Sequence, residues 1–227
     1  MGDKPKVIKV RIPRYEADLP GTPYSLWAGG RLDGLLHLPE TSRVEIIGGE
    51  IVVSSASRLS HSMIMDDICQ EFHLCMGRVS DFPWRCLQNA NLELVGIEDG
   101  YIPTLLVLDG QIAQEARAAD VPNLVADQIE LAIEVTSPSN ALNRRRPGAG
   151  TPKRTKWSGY ALAEIPYYLL VDPDPKGPCI TLYSIPHLGT GAYLEQETWK
   201  FGETIVLPEH LGVTIPTAGW KPWSDQN

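Results

Sequence analysis

Asp127-Gln-Ile-Glu-Leu-Ala-Ile-Glu-Val-Thr136 reads as a β-strand, and the chain beyond it, through Lys156-Trp-Ser-Gly-Tyr160 to Ile165-Pro-Tyr-Tyr-Leu-Leu-Val-Asp172, reads as a helix and a second strand. In the first strand a period of two puts Ile129, Leu131, Ile133 and Val135 on one face and Glu130, Ala132, Glu134 and Thr136 on the other. The first face is core, which makes the strand half-buried. Strand, helix and strand in this order predict a crossover unit whose ligand edge lies near the carboxyl end of the first strand. Glu134 sits at that end. The helix predicted over residues 153–163 carries Lys156 and Tyr160 on one face, at i and i+4. A carboxylate at a strand end with a lysine from the next helix is a pairing that metal-dependent phosphodiester chemistry uses.

Between strand and helix, Asn143-Arg-Arg-Arg-Pro-Gly-Ala-Gly-Thr-Pro152 reads as a flexible loop because proline and glycine punctuate it. With Lys153, Arg154 and Lys156 it gathers six positive charges beside Glu134, in a chain whose net charge is -8. That asymmetry points to a polyanionic partner, with Arg144, Arg145, Arg146, Lys153 and Arg154 as its contacts. The bland alternative is a solvated loop whose arginines touch nothing. The acidic total excludes a general nucleic-acid coating protein, which would bind by releasing counterions from phosphates.

Elsewhere, residues 7–10 suit a short edge strand ending before Pro13, and residues 24–38 a short helix broken at Gly29-Gly30. Arg43-Val-Glu-Ile-Ile and Glu50-Ile-Val-Val-Ser flank Gly48-Gly49, a strong hairpin signal that places Glu45 on a strand. Residues 59–79 form the clearest helix, with Met65, Ile68, Phe72, Cys75 and Val79 on one face; His61 opens it and His73 falls within it. A lone helix histidine is more often packed or solvated than functional. Residues 84–95 and 101–108 read as a strand pair with 96–100 as a loop, residues 112–119 as a polar connection or short helix, and residues 179–185 and 202–207 as two more strands. Trp220 and Trp223 read as caps on the core or an oligomer contact.

The chain's 227 residues, 43% of them apolar, allow one large domain with a real core. Its cysteines, Cys69, Cys75, Cys86 and Cys179, show no C-x-x-C spacing and read as buried thiols rather than a zinc module or disulfide framework. A polar start, and no apolar run near the roughly 20 residues that span a bilayer, predict a soluble cytoplasmic protein without a membrane partner.

Three pieces carry a resemblance to a known family: Val44-Glu-Ile-Ile-Gly-Gly-Glu-Ile-Val, Leu131-Ala-Ile-Glu-Val-Thr-Ser-Pro-Ser, and Lys156-Trp-Ser-Gly-Tyr-Ala with Ile165-Pro-Tyr-Tyr-Leu-Leu-Val-Asp-Pro. Each alone is weak. In this order and spacing they resemble the Uma-two family of restriction endonucleases, a branch of the PD-(D/E)XK nuclease superfamily, from about Arg43 to the tail. The resemblance implies an α/β fold with a restriction-endonuclease-like core, a central mixed sheet flanked by helices. Residues 1–42 would then be a strand and helical extension packed on the core, and 43–227 the nuclease-like part of a single domain. It further implies a hydrolase, an endonuclease that cleaves DNA phosphodiesters with Mg²⁺, or Mn²⁺ in its place. Glu134 would be the acidic metal ligand, Lys156 the catalytic lysine, and Glu45 and His61 would line the same cleft. The family also implies DNA as partner, and its superfamily a homodimer.

The chain departs from the pattern in two places: the family's Asp-Arg pair before the lysine here reads Asn143-Arg144, with an apparent insertion, and a metal-binding position is changed. Family members read Pro-Asp before an apolar strand, and that aspartate is the principal metal ligand; this chain has Pro103-Thr104. A neutral hydroxyl does not replace a carboxylate on Mg²⁺, which prefers hard anionic oxygens, so metal binding is expected to be weak or absent unless Glu45, Glu98, Asp99 or Asp109 compensates. Three readings follow: an endonuclease impaired at Thr104, an inactive nuclease fold serving as a DNA-binding or interaction module, and an interaction protein in which Glu134 and Lys156 form a structural ion pair.

Overall fold

The computed structural model describes residues 21–36, 38, 42–54, 59–148 and 154–223. The strand expected at 7–10 and the basic residue Lys153 lie outside them. Two short helices come first, α1 (Pro23–Ala28) and α2 (Leu32–Leu36), broken at Gly29-Gly30 as expected. The hairpin β1 (Arg43–Ile47) and β2 (Glu50–Ser54) and the long helix α3 (Leu59–Arg78) follow. Next come β3 (Trp84–Gln88), β4 (Leu92–Leu94), β5 (Asp99–Tyr101), β6 (Leu105–Asp109), α4 (Gly110–Ala118) and β7 (Leu124–Val125). The crossover is β8 (Leu131–Val135), α5 (Ala141–Arg144), α6 (Lys156–Leu162) and β9 (Tyr167–Asp172). It leads to β10 (Cys179–His187), β11 (Ala192–Lys200), β12 (Thr204–Val206) and β13 (Thr214–Pro216).

A six-stranded sheet in the order β11-β10-β9-β8-β6-β3 is the centre of the fold. It is mixed, because β8 and β9 run parallel while the other neighbours are antiparallel. α5 and α6 connect the parallel pair, as the crossover requires. A five-stranded sheet, β2-β1-β5-β4-β7, packs beside it. In the hairpin, Gly48 at φ 62° and Gly49 at φ 77° supply the left-handed pair that a two-residue turn needs.

The strand pair expected at 84–95 and 101–108 is instead cut twice and shared between sheets. β3 pairs with β6 in the large sheet, whereas β4 pairs with β5 in the small one. Asn89, at φ 52°, turns one strand out of its sheet, and Pro103 interrupts the other because it has no N–H to give a ladder. Residues 96–100 are likewise more than a loop: a 3₁₀ turn at Val95–Ile97 runs into β5. The chain therefore crosses from one sheet to the other at Ile102-Pro-Thr104.

Period two sorts the large sheet into two cores. Leu105, Val107, Leu131, Ile133 and Val135 face α3 through Ile64, Ile68 and Phe72. Leu106, Leu108, Ala132, Tyr168 and Leu170 face α6 and the small sheet through Trp157, Tyr160 and Tyr101. β8 is thus buried on both faces, not half-buried as its alternation suggested, because α6 and the small sheet cover the face that carries Ala132 and Glu134. Val79, expected on the core face of α3, is exposed. Trp220 caps the core as expected, donating to Asp67 at 2.9 Å and packing on Phe201. α1 and α2 pack Leu26, Trp27 and Leu32 onto Val44 and Ile46 of β1. β11 closes one side of the large sheet, with residues 194–198 exposed.

α6 approaches the small sheet closely at Gly159. A Cβ there would lie 1.9 Å from the Tyr101 hydroxyl oxygen and 2.8 Å from Cζ. Tyr101 is fully buried and donates to Asp99 at 2.9 Å, so it has nowhere to withdraw. Gly159→Ala is therefore expected to destabilise the fold by about 1–3 kcal/mol. The measurement is the urea midpoint, and an unchanged midpoint would show that α6 shifts freely.

Candidate functional site

The register of β6 against β8 puts Leu105 opposite Ile133, which brings Thr104 alongside Glu134. Thr104 Oγ1 donates to Glu134 Oε2 at 3.1 Å and accepts the Val135 N–H at 3.2 Å. α6 presents Lys156 and Tyr160 to the other oxygen: Lys156 Nζ stands 2.6 Å and the Tyr160 hydroxyl 2.9 Å from Glu134 Oε1. The last residue of α5, Arg144, sets its Nε 2.5 Å from Oε2. Each carboxylate oxygen thus has two partners from this chain. Glu134 and Thr104 are 0% exposed, Lys156 1% and Arg144 5%.

Glu45 enters from β1. Its Oε1 lies 2.5 Å from Lys156 Nζ and accepts the Ile102 N–H at 2.6 Å, while Lys156 donates to the Ile102 carbonyl at 3.2 Å. Ile102 lies where the chain leaves one sheet for the other, so its backbone groups have no ladder to join. Glu45 and Lys156 supply the partners that a buried backbone requires.

Burial pushes the Glu134 pKa up, but the charges of Arg144 and Lys156 and the donors Lys156 and Tyr160 outweigh it and hold the carboxyl at about 2. Burial, and after it the Glu134 charge, raises the Tyr160 phenol well above its usual range and keeps it a donor. His61 lies on the buried side of α3. Burial, reinforced by the Arg144 charge and opposed by Glu134, lowers its pKa to about 4, so the imidazole is neutral at pH 7. Neither His61 ring nitrogen makes a hydrogen bond, and neither do Arg144 Nε and Nη1, so the contact of Arg144 with Glu134 is an ion pair without hydrogen-bond geometry. His61 also lines a cavity of about 30 Å³ with Val135, Thr136 and Trp223. A larger groove, about 620 Å³, runs between β3 and α4 past Arg85, Leu87 and Ala113 and contains none of these charged groups.

The structure brings together three of the residues expected to carry chemistry, Glu134, Lys156 and Glu45, while His61 feels the charges of Arg144 and Glu134 without a hydrogen bond to any of them. The basic run behaves differently from a flexible loop. Arg144 is buried on Glu134; Arg145 grips Asp172 at 2.6 and 2.9 Å and Asp174 at 2.8 Å. Arg154 reaches Asp99 at 3.4 Å, and Arg146 is exposed, its guanidinium carbon 5.5 Å from the centre of the Trp157 ring. Of the candidate replacement acids, Asp109 caps α4 by accepting the Gln111 N–H at 2.7 Å. Asp99 accepts the Gly48 and Gly49 amides of the hairpin turn, and Glu98 ends the 3₁₀ turn in a left-handed conformation. Arg144 and Tyr160 were not foreseen as partners of Glu134. Tyr160 was signalled by its spacing from Lys156; for Arg144 the hint was Ala141-Leu142, too short a run to announce a helix.

The family model of Uma2, described as "Putative restriction endonuclease", matches residues 32–218. The chain belongs to the Uma2 family. The match begins within α2, earlier than the hairpin on which the resemblance rests. Among solved structures, the Uma2 chain is similar to one described as "a putative nuclease belonging to DUF820" from Anabaena variabilis ATCC 29413. The TM-score is 0.55 at 18% identity, over 79% of this chain and 90% of that one, a likeness of fold. No curated protein sequence matches. The fold is the restriction-endonuclease-like α/β core. No helix among the described residues is long and apolar enough to cross a membrane.

The fold of the Uma2 family implies a divalent cation, and the residues of this chain do not fit one. Thr104 contributes a hydroxyl whose proton is given to Glu134. Both Glu134 oxygens are already engaged by Thr104, Arg144, Lys156 and Tyr160. No group of three or more His, Cys, Asp or Glu side chains among the described residues is placed to hold a metal ion.

Proposed function

We propose that this chain is a nuclease-fold protein that no longer hydrolyses phosphodiesters and serves as a binding module. The observation that carries this reading is the state of Glu134: a fully buried carboxylate whose two oxygens are both engaged, and whose charge is neutralised, by the chain's own cations and hydroxyls. Activating a water for attack needs a base or a metal with an open position, and a fully buried, neutralised site offers neither. Glu45, Lys156 and Glu134 then act as the buried link between the two sheets.

DNA is the partner that the family suggests. Of the described arginines in the basic run, Arg146 is the exposed one, with its guanidinium over the buried Trp157 ring of α6. Arg144, Arg145 and Arg154 are turned to carboxylates of the chain itself. Few phosphates can therefore be neutralised, and the salt dependence of DNA binding should be shallow, with Arg146→Ala reducing the slope by about one.

The decisive experiment is cleavage of plasmid and single-stranded DNA in Mg²⁺ and in Mn²⁺ by the native chain and by Glu134→Ala. Neither is expected to cut. Native cleavage that Glu134→Ala abolishes would replace this reading with that of a working metal-dependent endonuclease.

A further inference from the structure

We infer that Arg144 is a fixed internal counter-ion: its guanidinium takes the place beside Glu134 that a divalent cation would otherwise take, so that the site is closed to metal by this side chain as well as by the loss of an acid at Thr104. The inference rests on the non-hydrolytic reading above and extends it by naming the group that does the excluding.

The charges make the first argument. The buried cluster holds two carboxylates, Glu45 and Glu134, and two cations, Lys156 and Arg144, and so sums to zero. Without Arg144 it would carry one negative charge, and with an aspartate at position 104 besides, two. A buried cluster of net charge -2 calls for a divalent ion; a neutral one repels it, since an arriving dication would be desolvated without compensation.

Position makes the second. Arg144 Nε meets Oε2, the same oxygen to which Thr104 donates. An aspartate at 104 and Glu134 would face each other across that oxygen, and the guanidinium stands at the shared position. Arginine suits the role better than lysine, because it stays charged at any relevant pH and is less strongly hydrated.

Anchorage makes the third. The Tyr168 hydroxyl donates to the Arg144 carbonyl at 2.9 Å, and the Arg145 amide bonds the Ala141 carbonyl at 3.0 Å. The next side chain, Arg145, is clamped to Asp172, which also accepts the Thr136 hydroxyl at 2.6 Å. The segment around Arg144 is therefore tied to β9 twice, through its own carbonyl to Tyr168 and through Arg145 to Asp172, so the fold places the guanidinium.

The test is Mn²⁺ binding, followed by isothermal titration and by the shift of thermal midpoint with Mn²⁺, in the full chain and its variants. Native protein and Thr104→Asp alone should show no saturable binding, and Thr104→Asp combined with Arg144→Ala should bind and be stabilised. Thr104→Asp alone binding as tightly as the combined variant would overturn the inference, as would a folded combined variant that binds nothing. Should the combined variant fail to fold, Thr104→Asp with Arg144→Gln takes its place. Its thermal midpoint should rise with Mn²⁺ while those of the native chain and of Thr104→Asp with Arg144→Lys do not, and equal shifts in all three would overturn the inference. DNA cleavage is scored separately, so a native chain that cuts would sink the non-hydrolytic reading without being mistaken for the Mn²⁺ result.

Discussion

Glu134→Ala should lose about 3–5 kcal/mol of stability, the usual result of removing one partner from a buried ion pair and leaving the others uncompensated. Arg144 and Lys156 would keep their charges in a site that is 0–5% exposed, with only Glu45 to answer them. Four contacts vanish with the carboxylate: Thr104, Arg144, Lys156 and Tyr160. Glu134→Gln retains much of the shape and should still lose most of this, because the charge is the dominant part. Glu134→Gln combined with Arg144→Gln returns the cluster to neutrality with Glu45 and Lys156 paired, and should recover part of the loss. A coupling between the two positions on the order of 0.5–3 kcal/mol is expected. Urea unfolding of the four proteins measures it, and strict additivity would show that the two groups do not feel each other.

Acidification should destabilise the protein in two successive windows. His61 has its pKa lowered from 6.5 to about 4, so between these values the unfolded chain binds a proton that the folded one refuses. Stability then rises with pH, is fully present above about 6.5, and falls as pH drops toward 4. Glu134 is lowered from 4.5 to about 2, and the stability it contributes is present above about 4.5 and lost as pH falls toward 2. At about 1.4 kcal/mol per pKa unit, each window is worth about 3 kcal/mol. The first is the more diagnostic, because few groups titrate there: His61→Phe should flatten the stability profile between pH 6.5 and 4 while leaving the lower window in place. A native profile already flat over that range would show that the buried imidazole protonates in the fold.

Much of this architecture was legible in the sequence, for reasons that differ by element. The hairpin announced itself through Gly48-Gly49, because a two-residue turn with positive φ has few chemical solutions. Lys156 and Tyr160 could be placed on one face from their spacing alone, and both reach Glu134 Oε1. The exchange of strands between sheets at Asn89 and Pro103 was not legible, since a strand that changes sheets keeps its apolar character on both sides of the break. β11 was not foreseen either: its Leu-Glu-Gln-Glu-Thr run, residues 194–198, has one apolar residue to mark a period. Arg144 was the largest misreading. Composition assigns an arginine-rich segment to solvent, and only the three-dimensional position of a buried carboxylate can call one of its members inward. The departure at Thr104 was visible as a missing charge, but not that Arg144 turns inward to the same carboxylate oxygen.

β11 has a bearing on assembly. Its outward side is unpaired in the described sheet, and an exposed run of backbone donors and acceptors is a template for a second copy. Antiparallel pairing of two such strands about a two-fold axis at Gln196 would set Glu195 of one copy against Glu197 of the other, twice over, and like charges directly opposite oppose pairing. In that register the acidic run opposes the pairing of two β11 edges, so the charges of Glu195 and Glu197 select against one of the ways in which two copies could extend the sheet.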